Sequence, residues 1–432
     1  MEENRVEDVI EEIEAVETPE VPVVTKKRNR NFWKGVICGA ALMLVVSLIV
    51  GGTLMIFALK DKNSGGADVE NNSSDLISDE TLVKLEQIRM LIEQNYLYYD
   101  DIDFDALQDA ILKGYVAGLN EPYSVYYNEA ETTSLYESTS GTFGGIGVVI
   151  MQDKTSGLVT FTKIYEDAPG SAAGFRAGDI VYKVNGEDVT GMDLDTIVSK
   201  IRGEVGTKVE ITVLRGDNAT EYTGTATRAL IENETVFYEM KSGKMGYIQI
   251  TGFEEVTFEQ FKKALKDLND QKMKGLIIDL RSNPGGNLST VCQMADLILP
   301  EGNVVSIKDK NGNGQSYKSD ANTMLDVPLV VLINGYSASA SEIFAGAVQD
   351  YEIGTLVGTT TYGKGIVQNV YSLLDGTSLK ITSSEYFTAK GRNIHGKGIE
   401  PDVEIQYEYD EANPNVDNQL DKAIEVLKGK MK

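Results

Sequence analysis

From Gly246 onward the chain alternates short β-branched apolar runs with stretches of helical period, and no other feature restricts the possible folds so strongly. Gly246-Tyr247-Ile248-Gln249-Ile250 is followed by a predicted helix over 257–268, Gly275-Leu276-Ile277-Ile278-Asp279-Leu280 by one over 288–299, and Pro328-Leu329-Val330-Val331-Leu332-Ile333 by one that opens at Ser341. Strands alternating with helices in this way predict an α/β domain around a mainly parallel sheet. The stretch from 141 to 228 follows a different rule. Short β-rich runs such as Val159-Thr160-Phe161 and Val209-Glu210-Ile211-Thr212-Val213-Leu214 are punctuated there by Gly and Asp, and a helical pattern interrupts them only over 194–201. This reads as a small β domain of its own.

Ahead of both, Leu82, Leu85, Ile88, Leu91 and Ile92, then Leu107, Ile111 and Tyr115, recur at steps of three and four. They predict amphipathic helices, closed by Asn120-Glu121-Pro122. Trp33 to Leu59 carries a single charge, Lys34, in an otherwise largely apolar run. About 20 apolar residues cross a bilayer core, so the run is long enough to span a membrane as a helix. Lys26, Lys27, Arg28, Arg30 and Lys34 precede it, against Lys60 and Lys62 after it, which places the short N-terminal tail in the cytoplasm and the remaining mass outside. A cleaved signal peptide would have a shorter apolar region, and no Ala-x-Ala site follows this one.

The expected division is a tail at 1–33, an anchor at 34–59, a flexible linker at 60–79, a helical region at 80–135, the β domain at 136–228, the α/β core at 229–410 and a terminal helix at 411–432. A formal charge of −26 argues against a nucleic-acid surface, which needs clustered Lys and Arg. Cys38 lies in the apolar run and Cys292 in the core, so no internal disulfide is available to the exported part.

Gly358-Thr359-Thr360-Thr361-Tyr362-Gly363-Lys364-Gly365 is one residue short of a phosphate-binding loop. Gly365 occupies the place of the hydroxyl residue that would hold magnesium, and Ile366 to Leu373 read as a strand where a helix is required, so Lys364 has no nucleotide to hold. Asn334 to Glu342, with Ser337, Ser339 and Ser341, follows a buried-type strand and opens a helix. Such a corner exposes a side chain beside free helical N–H groups, where developing negative charge is favoured, although serines there also serve as plain helix caps. Gly285-Gly286 stands at a second strand-to-helix junction, where backbone N–H groups can approach a ligand as an oxyanion hole requires. The one histidine, His395, lies in a glycine-rich loop. A nucleophilic Ser339 needs a base, and a Ser-Lys pair is a known alternative to Ser-His-Asp.

Ser337-Ala338-Ser339-Ala340-Ser341-Glu342, the earlier Asp279-Leu280-Arg281-Ser282-Asn283-Pro284-Gly285-Gly286, Gly363-Lys364-Gly365 with Gln368, and the closing Gly398-Ile399-Glu400-Pro401-Asp402 stand in order behind the β domain. Together they resemble the C-terminal processing peptidases, or tail-specific proteases, over about Leu82 to Val403. The resemblance implies an α/β protease core of ClpP/crotonase-like type with a PDZ-like β domain, an N-terminal helical segment and one transmembrane helix. It implies Ser339 as nucleophile, Lys364 as general base, Gln368 as the group that orients the lysine, and an oxyanion hole from the backbone N–H groups of Ala340 and of Gly285 or Gly286. Lys364 accepts a proton only when neutral, so burial must lower its pKa, with Tyr362 and Ile366 as expected apolar cover. Lys364 and Gln368, four apart where a strand begins, are expected to share a face, so that the amide holds the amine.

Gly141-Thr142-Phe143-Gly144-Gly145-Ile146-Gly147 resembles the loop by which PDZ domains capture a peptide's terminal carboxylate, with Gly144, Gly145, Ile146 and Gly147 as the backbone cradle. Ala168-Pro169-Gly170 and Val184-Asn185-Gly186 extend that likeness. Arg202 is the candidate for coupling peptide capture to the protease site. The implied function is a membrane-anchored, outward-facing serine endopeptidase for protein substrates recognised near their C-termini, with no cofactor or metal and with helices that could pair two copies. The rivals are a catalytically inactive PDZ scaffold, which has no reason to keep Ser339, Lys364 and Gln368 together, and a crotonase-type acyl-CoA enzyme, which has no need of the PDZ-like segment.

Overall fold

The computed structural model describes residues 77–413 and 416–431. The chain divides into two compact units, Met1–Tyr99 and Asp100–Lys432. The described part of the first is chiefly the helix α1 (Asp79–Asn95), started by the Ser78 hydroxyl, which accepts the Thr81 N–H. No helix among the described residues is long and apolar enough to cross a membrane, and the apolar run at 34–59 lies outside them.

The second unit opens with α2 (Phe104–Ala117), β1 (Val125–Tyr127) and α3 (Glu129–Ser140). Asn128 and Glu131 form a capping box at the start of α3, and Gly141 ends it in the left-handed conformation. There follow β2 (Thr142–Gly145), β3 (Val148–Gln152), β4 (Val159–Ile164), a helical turn α4 (Pro169–Ala172), β5 (Ile180–Val184), β6 (Glu187–Asp188), α5 (Leu194–Ile201), β7 (Lys208–Arg215), β8 (Thr220–Thr227) and β9 (Ala229–Glu232). β3-β4-β5-β7-β8 make one antiparallel sheet with β6 on β5, while β2 and β9 pair with each other where the segment leaves and rejoins the rest. α5 covers the sheet with Ile197 and Ile201, and Phe161, Phe175 and Tyr222 meet edge to face within this separate core.

The α/β core comprises β10 (Val236–Lys241), β11 (Met245–Ile250), α6 (Thr257–Asp270), β12 (Gly275–Asp279), α7 (Leu288–Asp296), β13 (Gly302–Asp309), β14 (Gly314–Ser319), β15 (Leu329–Ile333), α8 (Ala340–Asp350), β16 (Gly354–Gly358), β17 (Ile366–Ser372), β18 (Ser378–Thr388), β19 (Val403–Glu404) and α9 (Asn418–Lys430). The expected sheet is present in the order β10-β11-β12-β15-β16-β19, parallel except for β10. Leu276, Ile278, Leu329, Val331 and Ile333 pack toward α6, α7 and α8, and the alternate Ile277, Val330 and Leu332 pack toward Ala423 and Leu427 of α9. Covering on both faces is why β12 and β15 are apolar at nearly every position.

A second, antiparallel sheet was not expected. β1-β18-β13-β14 run side by side with β17 also on β18, so the N-terminal β1 is built into the core through Val125–Tyr127 against 378–380.

The C-terminus is tied in by charge. Asp279, the last residue of β12, is 1% exposed, and the Arg281 guanidinium binds it at 2.6 Å and reaches Asp417 at the cap of α9 at 2.8 Å. Removing Arg281 would leave a buried carboxylate short of its partner, and breaking such a pair costs about 3–5 kcal/mol. Arg281→Met is expected to lose stability on that scale in denaturant unfolding. A loss near zero would show the pair to be dispensable.

Candidate active site

Two strand-to-helix junctions meet at the carboxyl ends of β12 and β15. Ala338 N–H donates to the Asn283 carbonyl at 3.0 Å, Ser341 Oγ donates to the same oxygen at 2.9 Å, and Ser337 Oγ donates to the Leu280 carbonyl at 2.8 Å. These flanking serines are fully buried and their hydroxyls are engaged in holding the junctions together. Ser339 is the exception: its Oγ bonds to neither junction carbonyl, meets only the Glu342 N–H of its own capping box, and lines a cleft of about 620 Å³. Its backbone sits at φ 53°, ψ −112°, which a residue with a Cβ rarely adopts and which costs about 1–3 kcal/mol. Such a strained strand-to-helix turn is the arrangement that exposes a nucleophile on an elbow.

The glycines explain how the elbow closes. At Gly285, φ 105°, a Cβ would lie 2.7 Å from the Ala338 carbonyl oxygen and 2.8 Å from Ser339 Cβ, so only glycine permits the approach. Its N–H donates to Asn283 Oδ1 at 2.9 Å. Among the described residues the N–H groups of Ala340 and Gly286 have no partner. Of the three expected oxyanion donors, then, two remain available beside Ser339 and the Gly285 N–H is already in use.

One buried carboxylate joins this elbow to the loop that carries Lys364. Glu342 is fully buried; its Oε2 accepts the Ser339 and Lys364 N–H groups, each at 2.8 Å, and its Oε1 accepts the Gly363 N–H at 2.7 Å and the Thr361 hydroxyl at 2.6 Å. The Thr361 hydroxyl in turn accepts the Ile399 N–H at 2.7 Å, which accounts for the closing Gly398-Ile399 motif. Sequence reasoning gave Glu342 no role. The Ser-x-x-Glu spacing of a capping box was the available signal.

Lys364 lines the same cleft as Ser339. Its Nζ lies 4.3 Å from the centre of the Tyr123 ring and makes no hydrogen bond or ion pair with a described residue, Ser339 included. Burial, helped by the neighbouring charge of Lys380, holds its pKa below the ordinary lysine value against the opposing pull of Glu121 and Glu342. The aromatic cover comes from Tyr123; Ile366 is buried in the lining of the same cleft, and Tyr362 is exposed and outside that lining.

Gln368 also lines the cleft, but the expected bond to the Lys364 amine is absent. Lys364 lies in the loop before β17, which begins at Ile366, so the two-residue alternation from which the bond was argued does not extend to it. Gln368 Nε2 donates instead to Thr382 Oγ1 at 3.2 Å. His395 is exposed and lies outside the cleft.

The PDZ-like segment has its own groove, a cavity of about 280 Å³ between the unpaired edge of β3 and α5, floored by Ile146 and walled by Leu194, Val198 and Ile201. The Ile146 and Gly147 N–H groups have no partner among the described residues, whereas Gly144 and Gly145 are paired into β2. Arg202 lines the groove and stacks on Phe143, 3.8 Å from its ring centre, with Nη1 3.9 Å from Glu137 of α3. Leu135, Ser138 and Thr139 of the same helix line the Ser339 cleft.

Residues 244–405 match the family described as Peptidase family S41, residues 160–215 match a PDZ domain, and residues 43–132 match the activating protease CtpB N-terminal domain. The chain is 33% identical over 365 residues to the carboxy-terminal processing protease CtpA of Bacillus subtilis (strain 168), covering 84% of this chain and 76% of that one. It is 34% identical over 384 residues to a probable CtpA-like serine protease of Staphylococcus aureus (strain COL), covering 88% and 74%. The solved photosystem II D1 C-terminal processing protease aligns over 81% of this chain and 98% of its own at 28% identity, with a TM-score of 0.45.

Glu342→Gln replaces two acceptor sites by an NH2 that faces donors, so the elbow and the Lys364 loop should shift apart. A misplacement of about 1 Å can cost about 10²-fold in rate, and kcat is expected to fall on that scale. Loss of the anion also removes a pull that raises the Lys364 pKa, so the acid limb of the pH–rate profile should move to lower pH. An unchanged kcat and limb would contradict this account of Glu342.

Proposed function

This chain belongs to the carboxy-terminal processing proteases of peptidase family S41 and is a serine-type peptidase with a PDZ domain, and from that premise we propose a membrane-anchored, outward-facing endopeptidase that cuts protein substrates near their C-termini by a Ser-Lys mechanism. The observation that carries the mechanism is the setting of Lys364: it shares the cleft of Ser339, has no anionic partner among the described residues, and burial lowers its pKa. In the neutral form Lys364 leaves the Tyr123 ring and takes the Ser339 proton as Oγ attacks the substrate carbonyl. The N–H groups of Ala340 and Gly286 stabilise the oxyanion. The Lys364 ammonium then protonates the leaving amine, and water hydrolyses the acyl-serine with Lys364 again as base.

In this reading the β3 edge and the N–H groups of Ile146 and Gly147 take the substrate's terminal residues and carboxylate, and the apolar groove walls favour an apolar end. Arg202 and Glu137 couple that groove to α3, whose Leu135, Ser138 and Thr139 line the catalytic cleft. The anchor is the run at 34–59, supported by its length and by the flanking basic residues. A homodimer belongs to the same reading and is measured by sedimentation of the detergent-solubilised chain.

Ser339→Ala should abolish cleavage of a peptide with an apolar C-terminus while leaving its binding intact, since one hydroxyl is lost from the cleft. Lys364→Arg should be as inactive as Lys364→Ala, because a guanidinium stays charged at working pH and cannot accept the serine proton. Activity should rise with pH as the ammonium loses its proton, with a midpoint below the roughly 10.4 of free lysine. Turnover by Ser339→Ala, or substantial activity in Lys364→Arg, would end the Ser-Lys mechanism.

For topology, protease added to intact cells should digest the domain beyond Lys60 and spare an epitope placed within residues 1–20. Digestion of that epitope from outside would reverse the orientation.

A further inference from the structure

Gln368, Thr382 and Glu121 form a hydrogen-bonded chain that runs in one direction only. Glu121 Oε2 accepts the Ser124 hydroxyl at 2.6 Å and the Thr382 hydroxyl at 2.9 Å, and its Oε1 accepts the Tyr123 N–H at 2.9 Å. Every partner of Glu121 is a donor. Burial pushes its pKa up, but the bonds from Ser124, Tyr123 and Thr382 outweigh that, so it stands below the ordinary carboxylate range and is an acceptor at neutral pH. Thr382 has one hydroxyl proton, and Glu121 takes it. Toward Gln368, 3.2 Å away and directly across from it between β17 and β18, Thr382 Oγ1 can therefore only accept. The end of the Gln368 amide that meets it must be the NH2 group.

That assignment fixes the other end. Gln368 Oε1 has no partner among the described residues, and Gln368 and Lys364 line the same cleft. A carbonyl oxygen can accept an N–H of the lysine amine and leave the nitrogen lone pair free for the serine proton. An NH2 group presented there would donate into that lone pair and disable the base. The bulge between Val367 and Gln368, where β18 contributes the extra residue Ser383, sets the two side chains opposite each other.

We propose that Glu121 and Thr382 are positioning residues of the protease site, which hold the Gln368 amide with its carbonyl oxygen toward the amine of Lys364. The inference rests on the Ser-Lys reading and adds a part to it that lies in the N-terminal segment, since Glu121 stands 261 positions before Thr382. The charged side chains with electrostatic reach of Lys364 are Lys380, Glu121 and Glu342, and the phenol ring of Tyr123 faces it directly.

The test uses the full chain and a fluorogenic peptide with an apolar C-terminal residue. Thr382→Val keeps the shape and β-propensity of the side chain and removes both hydrogen bonds. It should lower kcat about tenfold or more with KM and the melting temperature little changed, and Thr382→Ser should restore most of the rate. In a Gln368→Ala background Thr382→Val should have no further effect, because there is no amide left to orient. In Glu121→Gln the Tyr123 N–H claims the amide oxygen and the NH2 faces Thr382, whose hydroxyl then accepts there and turns its proton toward Gln368, so kcat should fall in the same way. Wild-type kcat in Thr382→Val, or a loss that multiplies in full onto that of Gln368→Ala, overturns the inference while Lys364→Arg stays inactive. Activity in Lys364→Arg would instead remove the Ser-Lys reading on which it stands.

Discussion

The Glu342 carboxylate is the constraint on which the rest of the site depends. Three of its four bonds are to backbone N–H groups, at Ser339, Gly363 and Lys364, and the fourth is to a threonine that itself holds Ile399. A positive φ at Ser339 is unfavourable by itself and persists only where surrounding contacts determine it. Glu342 supplies those contacts from inside the helix that Ser339 opens, so the elbow and the lysine loop are referred to a single point. The Tyr386 hydroxyl adds a bond to the Ser339 carbonyl at 3.2 Å from the second sheet.

That second sheet gives the N-terminal segment its place. β1 pairs with β18, and the turn before it carries Glu121, Tyr123 and Ser124 to the side of the cleft where Lys364 and Gln368 stand. Residues more than two hundred positions apart thus meet around one amine, and the site is complete only when these long-range contacts have formed. On the proposed mechanism the segment does more than support the fold, since it covers Lys364 with an aromatic face and backs Gln368 with a carboxylate.

What the sequence disclosed follows from how local each signal is. The strands β11, β12 and β15 and the helices between them were legible because buried parallel strands and amphipathic helices have strong periods, although α7 ends at Asp296 and α6 runs on to Asp270. Helix α5 was legible over its full length. β13, β14 and β18 were not, because their partners lie far away and their faces are mixed. In the site, Ser339 and Lys364 were singled out by motif and resemblance, and the structure brings both to one cleft. The two-residue alternation argued for Lys364 and Gln368 holds only inside a strand, and Lys364 stands before β17 begins, although both side chains line the cleft. Glu121 was read only as the end of a helix, since its work depends on Thr382, which local pattern cannot place beside it.

A lysine base also restricts the carboxylates around it. A salt bridge would hold Lys364 as the ammonium and raise the pKa that catalysis needs lowered. In a chain with a formal charge of −26 such a partner is easily found, yet the two carboxylates with electrostatic reach of Lys364 are both occupied. Glu342 accepts four bonds and Glu121 three, all from other donors, so neither turns toward Nζ. The nearby charge left without a countercharge is Lys380, whose Nζ donates to the Tyr127 hydroxyl at 2.7 Å and forms no ion pair among the described residues. Saturating the anions and leaving a cation free act in the same direction, toward a neutral amine beside Ser339.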